Sequence, residues 1–412
     1  MVVAALPVLA LLASPASAFE PLDDGELDRL ATQTGFRSVA IERPCRAGPD
    51  GRCAARALDT LPARAPRASG EPFRILLLGD SHVASDYITG MARHRLQQRF
   101  GDAGRGLIQP DQSSRFGGRK LFRSAGWKQE RIVDAGQAGK SFGLTGLALE
   151  SQRAGARLVY RVDPADDYAE VHFEARPGGA AFEVQTGTVT HRLSARAERR
   201  RVAVWRVPVT SASRLMLRAL GPGLRIFGVA FETSDRGVLL EAMGPVGAES
   251  QVYLQMERAS FVQHLGLRAP DLVVFMLGGN DALKVRKGWW TLDRVEAQYR
   301  RLFSLAQAAL PGAECLVLTP MDAGVRRGDS VVSRAYVAEV RDLLRRVAFD
   351  SGCAVWDLLE AMGGAGSIER WVQAGIINPR DLLHPRKGAA DLLGRGLATA
   401  IERELSGKAP TP

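Results

Sequence analysis

Phe73-Arg74-Ile75-Leu76-Leu77-Leu78-Gly79-Asp80-Ser81-His82 decides the fold. Four consecutive aliphatic residues, with no polar alternation and a Gly at the end, are the pattern of a strand buried on both faces of a parallel sheet. A helical pattern follows from about Ser85 to Phe100. The same motif of apolar run and helix recurs downstream. Buried strands are expected at 271–277, 314–319 and 353–357, with helical periodicity over 292–310 and 331–348 between them. Strand and helix in alternation imply an α/β core on a parallel sheet.

Residues 150–235 break that rhythm. Short strands are expected at 157–163, 168–175, 181–186, 201–208, 213–219 and 224–232, punctuated by Pro177-Gly178-Gly179 and Gly221-Pro222-Gly223. Strands without helices between turn signals read as a β-sandwich inserted into the α/β chain. Residues 19–70, rich in Pro, Arg and Ala with little periodicity, read as an N-terminal arm followed by a linker. The chain therefore divides into a leader (1–18), arm and linker (19–70), a discontinuous α/β domain (71–149 and 236–405), the insert (150–235) and a tail (406–412).

The leader has no charged side chain, an apolar run from Val2 to Leu12, and a small-x-small site at Ala16-Ser17-Ala18. This is the pattern of a cleaved signal peptide, and it falls short of the ~20 apolar residues a membrane span needs. No other stretch is long and apolar enough to serve as a stable membrane anchor, so a periplasmic or secreted protein is expected. The four cysteines fit an oxidising compartment. Cys45 and Cys53 flank a Gly- and Pro-containing loop suited to a short disulfide. Cys315 and Cys353 lie on two predicted strands and read equally as free core thiols or as a bridge.

The 412 residues carry 55 Lys+Arg and 45 Asp+Glu, for a net charge of +10. The excess is diffuse arginine with no recognition motif, so no nucleic-acid partner is expected.

Ligands of parallel α/β sheets bind outside the carboxyl ends of the strands. Ser81 follows the first strand on a turn into a helix, which exposes its hydroxyl among backbone N–H groups; a helix N-cap is the plainer role. A serine nucleophile needs a base. Asp381-Leu382-Leu383-His384-Pro385 places a carboxylate and an imidazole on one loop, so that Asp381 can orient His384. Gly278-Gly279-Asn280-Asp281, again after a strand, offers an amide to a developing oxyanion. Gly244-Pro245-Val246-Gly247-Ala248 is a turn with a backbone N–H to give.

In order, Gly79-Asp80-Ser81, Gly247, Gly278-x-Asn280 and Asp381-x-x-His384 resemble the four blocks of the SGNH (GDSL-type) hydrolase superfamily. The resemblance implies a three-layer, flavodoxin-like parallel sheet. Ser81 would be nucleophile, His384 base and Asp381 its orienting acid. The Ser81 N–H, Gly247 N–H and Asn280 amide would form the oxyanion hole, with no metal and no organic cofactor. Asp80-Ser81-His82 through Gly104, and Glu360 through Gly364, Trp371-Val372 and His384, are similar to bacterial peptidoglycan and polysaccharide O-acetylesterases. Members of that group can carry a carbohydrate-binding-like β insert. Two positions depart from the pattern. Val246 stands where these relatives often have Asn, and His82 stands where the GDSL signature has Leu, which points away from lipases.

The expected function is an exported serine esterase removing O-acetyl groups from a cell-wall or surface glycan, with peptidoglycan favoured. The alternatives are a glycan O-acetyltransferase using the same triad and a non-catalytic glycan-binding protein. His82 and Asp86 are further candidates for substrate contact. Gly139-Lys140-Ser141-Phe142-Gly143 matches a G-x-S-x-G nucleophile elbow, but no buried strand precedes it. Asp80-x-His82 with Asn280-Asp281 suggests a dinuclear phosphoesterase, which needs more His ligands than the scattered six supply.

Overall fold

The computed structural model describes residues 20–47, 52–66, 71–84, 86–110 and 120–407; the expected leader lies outside them. Five parallel strands form the central sheet: β1 (Phe73–Gly79), β2 (Val238–Met243), β3 (Leu272–Met276), β4 (Glu314–Leu318) and β5 (Ala354–Trp356). Their spatial order is β2-β1-β3-β4-β5. Chain order reverses around β1, so a crevice opens at its carboxyl end.

The period of two along each strand sorts the core into two layers. Ile75, Leu77, Leu240, Val274, Leu316 and Trp356 face one side with helices α1 (Tyr87–Phe100) and α6 (Lys387–Leu405). Leu76, Leu78, Phe275, Val317 and Val355 face the other, against α2 (Arg258–Arg268), α4 (Leu292–Ala309) and α5 (Val337–Asp350). Both faces are covered, which is why these strands read as unbroken apolar runs.

Two antiparallel sheets enclose a third core that includes Leu158, Tyr160, Phe182, Leu217 and Phe231. One has the strand order 189–194, 181–186, 214–219, 157–161, 120–123; the other runs 201–208, 168–175, 225–232, 147–151, 127–131, with 104–108 also paired to 225–232. The sandwich thus draws in residues before 150, wider than the expected 150–235. Strands 120–123 and 127–131 are mostly exposed and carry charges, and 104–108 is broken by Gly104 and Gly106, so none shows apolar alternation.

Three further expectations need correction. Strand β2 was not anticipated, although it forms one edge of the central sheet. Residues 330–333 pair with 324–327 as a hairpin, and α5 begins only at Val337, because Tyr336 adopts a left-handed φ of 71°. Residues 20–47 and 52–66 are packed on the core rather than forming an arm and linker. Helix Asp24–Thr34 starts from the Asp23 cap, Leu27, Leu58 and Leu61 are buried in the first core layer, and Glu42 exchanges backbone hydrogen bonds of 2.8 and 2.9 Å with Val355. The segment covers an otherwise open sheet edge. Disulfides join Cys45 to Cys53 and Cys315 to Cys353, the latter tying the start of β4 to the residue before β5.

Candidate active site

β1 ends in a turn that only glycine permits: a Cβ on Gly79 would lie 2.9 Å from the Met276 carbonyl and inside the Val83 side chain. The chain turns at once into the short helix Ser81–Ala84, where Ala84 N–H donates to the Asp80 carbonyl at 3.0 Å. Ser81 therefore stands at the mouth of the crevice rather than along a strand.

The loop before α6 brings the second group. Its shape is set by Asp381, whose Oδ1 accepts from the N–H of Leu383 at 2.9 Å and of His384 at 3.0 Å. Its Oδ2 accepts from the Asn378 amide at 2.8 Å and lies 3.0 Å from His384 Nδ1. The hairpin 324–333 props the loop from outside: Gly324 N–H donates to the Leu382 carbonyl at 2.7 Å, and the Arg334 guanidinium holds the Asp381 carbonyl. His384 Nε2 then sits 2.9 Å from Ser81 Oγ. Burial pushes the Asp381 carboxyl up, but the His384 N–H, the His384 ring and the Leu383 N–H together outweigh it and hold the carboxyl below its ordinary range. It is anionic beside the His384 imidazole.

The oxyanion candidates converge on the same turn. Asn280, at the start of α3 (Gly279–Arg286), donates from Nδ2 to the Ala248 carbonyl at 2.8 Å and lies 3.4 Å from Asp80 Oδ2. Gly247 precedes Ala248 and takes φ +83°, which favours glycine although nothing crowds its Cβ position. Neither the Ser81 nor the Gly247 N–H has a hydrogen-bond partner among the described residues.

Ser81, Gly247, Asn280, Asp381 and His384 are thus brought to one crevice. Two other candidates are not. Asp86 is buried and locked by Arg93 (2.5 Å), Arg105 (3.2 Å) and Thr89 (2.6 Å), so it is an interior anion and no substrate contact. Ser141 is buried and donates to Ser260 Oγ at 3.0 Å, inside the fold. His82 does reach the site, but from beneath it: it is buried and stacks on the His384 ring.

Two supports of the site have no signature in the sequence. The Tyr253 hydroxyl lies 2.8 Å from the Gly79 carbonyl and 2.9 Å from that of Met243, so one phenol pins the ends of β1 and β2 together. Asp281 accepts from Ser250 Oγ at 2.6 Å and Tyr299 at 3.1 Å, which ties the Asn280 turn to the helix after Gly247. Burial raises its carboxyl to about 6. Neither residue has a spacing that would announce it; Asp281 is visible only as the neighbour of Asn280. No group of three or more His, Cys, Asp or Glu suited to a metal occurs among the described residues.

Residues 210–388 match the GDSL-like lipase/acylhydrolase family. Over that stretch, under half of its 412 residues, the chain is similar to GDSL-type acylhydrolases. That match supports a carboxylic ester hydrolase. The match takes in Gly247, Asn280, Asp381 and His384 but not Ser81, which the sandwich strands separate from the rest. No curated protein sequence matches. Among solved structures, a peptidoglycan O-acetylesterase superposes with a TM-score of 0.72 at 24% identity, over 85% of this chain and 96% of its own. The parallel-sheet core and the sandwich therefore recur together in one fold. The YXIM protein of Bacillus subtilis aligns over 75% of this chain and 99% of its own at 15% identity and TM-score 0.37. An acetylxylan esterase of Geobacillus stearothermophilus aligns over 40% and 73% at 17% identity and TM-score 0.31.

Proposed function

We propose that the protein is an exported serine carbohydrate esterase that removes O-acetyl groups from a cell-wall or surface glycan, peptidoglycan first. The observation that carries this reading is the unbroken chain Ser81 Oγ–His384 Nε2 (2.9 Å) and His384 Nδ1–Asp381 Oδ2 (3.0 Å) at the carboxyl end of β1. Ser81 Oγ attacks the acetyl carbonyl as His384 Nε2 takes its proton. Asp381 keeps the proton on Nδ1 and stabilises the imidazolium. The Ser81 and Gly247 N–H groups and the Asn280 amide receive the negative charge that forms on the carbonyl oxygen. His384 then protonates the leaving sugar oxygen, which frees the sugar and leaves an acetyl-enzyme. Water, deprotonated by the same imidazole, releases acetate and restores Ser81. No step calls on a metal or an organic cofactor.

Three further observations support a glycan ester outside the cytoplasm. The His384 and Asp381 side chains keep 40% and 36% of their exposure, an open arrangement that a bulky polymer can approach. The structural neighbour of TM-score 0.72 is named for acetyl removal from peptidoglycan. Two disulfides and the leader-like residues 1–18 fit an oxidising compartment. On this reading the parallel sheet and its helices form the catalytic part, and the sandwich strands supply a surface for the polymer.

Acetate release from O-acetylated peptidoglycan and from acetylated xylan, with wild type and Ser81→Ala, tests the proposal. The expected result is faster release from peptidoglycan and a loss of roughly 10³-fold or more in folded Ser81→Ala. Undiminished release by that variant overturns the nucleophile. A new ester on an added acceptor glycan, in place of free acetate, would make the protein a transferase.

A further inference from the structure

We propose that the buried Asp80–His82 pair is a positioning device for His384, a flat wall that holds the base in plane while its proton comes and goes. The inference rests on the esterase reading above and adds a role that reading does not need. Two Asp–His pairs lie side by side. Asp381 Oδ2 is 3.0 Å from His384 Nδ1, and Asp80 Oδ1 is 2.8 Å from His82 Nδ1. The two rings stack with centroids 5.3 Å apart and planes 26° from parallel. The outer pair is 40% and 36% exposed; the inner pair is 7% and 3% exposed. His384 rides on a loop whose Leu382 takes a φ of +53°. His82 belongs to the turn of the nucleophile itself, and Asp80 Oδ1 also accepts the His82 N–H at 2.9 Å.

The chemistry shows why a wall is wanted. Before attack the imidazole is fixed at both ends, by Asp381 at Nδ1 and by Ser81 at Nε2. Once Ser81 Oγ bonds to the acyl carbon, Nε2–H must turn to the leaving oxygen, and only the Nδ1 hydrogen bond remains. Rotation about that single bond is then opposed by the stack. Because the wall stands on residues 80–82, it also keeps nucleophile and base in one frame although they are 303 residues apart.

The inner ring also bears on charge. Burial opposes protonation of His82, but Asp80, the Leu383 backbone and Asp381 outweigh it and raise its pKa. Nε2 makes no full hydrogen bond, yet the Leu383 backbone still favours a proton there. The charged and titratable groups around the ring are Asp80 on its own turn and Asp381 and His384 on the C-terminal loop, with the Tyr253 phenol behind Asp80. Each ring of the stack thus has one carboxylate at its Nδ1.

The test compares wild type, His82→Ala, His82→Phe and Ser81→Ala on an aryl acetate across pH. His82→Ala is expected to lower kcat ~10–100-fold with KM little changed, a cost typical of a misplaced catalytic group. His82→Phe restores a flat ring without charge, so it is expected to recover most of the plateau kcat. If His82→Ala does not fold, His82→Phe decides: kcat within about threefold of wild type with KM unchanged supports the wall, and a ~10–100-fold loss in that folded variant overturns it. Wild-type kcat in His82→Ala overturns the proposal while Ser81→Ala is dead. Equal loss in the Ala and Phe variants also overturns it, since a flat ring would then carry no role. Turnover surviving in Ser81→Ala overturns the esterase reading and this one together.

Discussion

The molecule holds two stacked histidine pairs with opposite fates. His82 and His384 meet at the crevice, 5.3 Å apart; His172 and His264 meet at 6.0 Å with both rings fully buried. The second pair lies in a charged seam between the antiparallel sheets and the parallel layer. There Arg268, 1% exposed, donates to Glu170 at 2.7 Å and Glu241 at 3.0 Å and also pairs with Glu232. Glu170 and Glu232 lie on sandwich strands, Glu241 on β2 and Arg268 on α2, so the seam joins the two parts. Burial lowers the pKa of both seam histidines, that of His264 to about 3, while charge around Arg268 adds to the effect. They stay neutral and take no part in proton transfer. Stacked imidazoles alone therefore do not make a site; the crevice pair differs in having a serine hydroxyl within reach and an exposed outer ring.

The largest effect that breaks the comparison falls on the crevice. Asp381→Asn keeps shape and size but removes the charge that holds the His384 tautomer. It is expected to reduce kcat on an aryl acetate by ~10⁴-fold with little change in melting temperature. A drop under tenfold would mean that Asp381 only shapes the loop.

The seam should answer the other way. Arg268→Met removes one cation from among three buried carboxylates, and breaking such a network costs about 3–5 kcal/mol. Thermal or denaturant unfolding should show that loss, while kcat of the folded variant at low temperature stays near wild type. An unchanged unfolding midpoint would show that the seam does not hold the sandwich in place. Asn280→Ala sits between these cases. Removing one oxyanion donor is expected to cost ~10²–10³-fold in kcat with KM retained. Its amide also holds the Ala248 carbonyl, so a simultaneous rise in KM would show the Gly247 turn moving with it.

The crevice was legible in the sequence because parallel strands announce themselves and ligands sit at their ends. Ile75–Leu78 and 272–276 located Ser81 and Asn280, and Asp381-x-x-His384 carried both of its groups on one loop. The seam was not legible. Glu170, Glu232, Glu241 and Arg268 come from four elements, each charge sits alone in its own stretch, and only the folded sheets make them neighbours. Strand β2 was missed for a related reason: Glu241 interrupts Val238–Met243, and it looks like a surface residue until Arg268 is seen beside it. Asp86 shows the same limit, since its two arginine partners lie 7 and 19 residues on and nothing local marks it as interior.

The smallest expected effect contrasts acids on the two sides. Burial pushes Glu170 and Glu232 up, but Arg268 and neighbouring cations, helped for Glu170 by His172, bring both down to about 2. Asp281 is buried more completely still, but its partners are the neutral Ser250 and Tyr299, so burial prevails and its carboxyl sits at about 6. The linkage signs are opposite. The seam glutamates contribute stability above their ordinary range and lose it as pH falls toward 2. Asp281, raised above its unfolded value of 3.8, contributes stability below that value and loses it as pH rises through 6. Asp281→Asn cannot ionise, so the variant lacks this loss. Its destabilisation relative to wild type should therefore be smaller at pH 7.5 than at pH 4.5, by roughly 2–4 °C in melting temperature. Comparing each variant with wild type at the same pH cancels the acid response of the seam, which both proteins share. A penalty that is the same at both pH values would mean that Asp281 is already ionised in the folded protein, held like the seam acids by a cation.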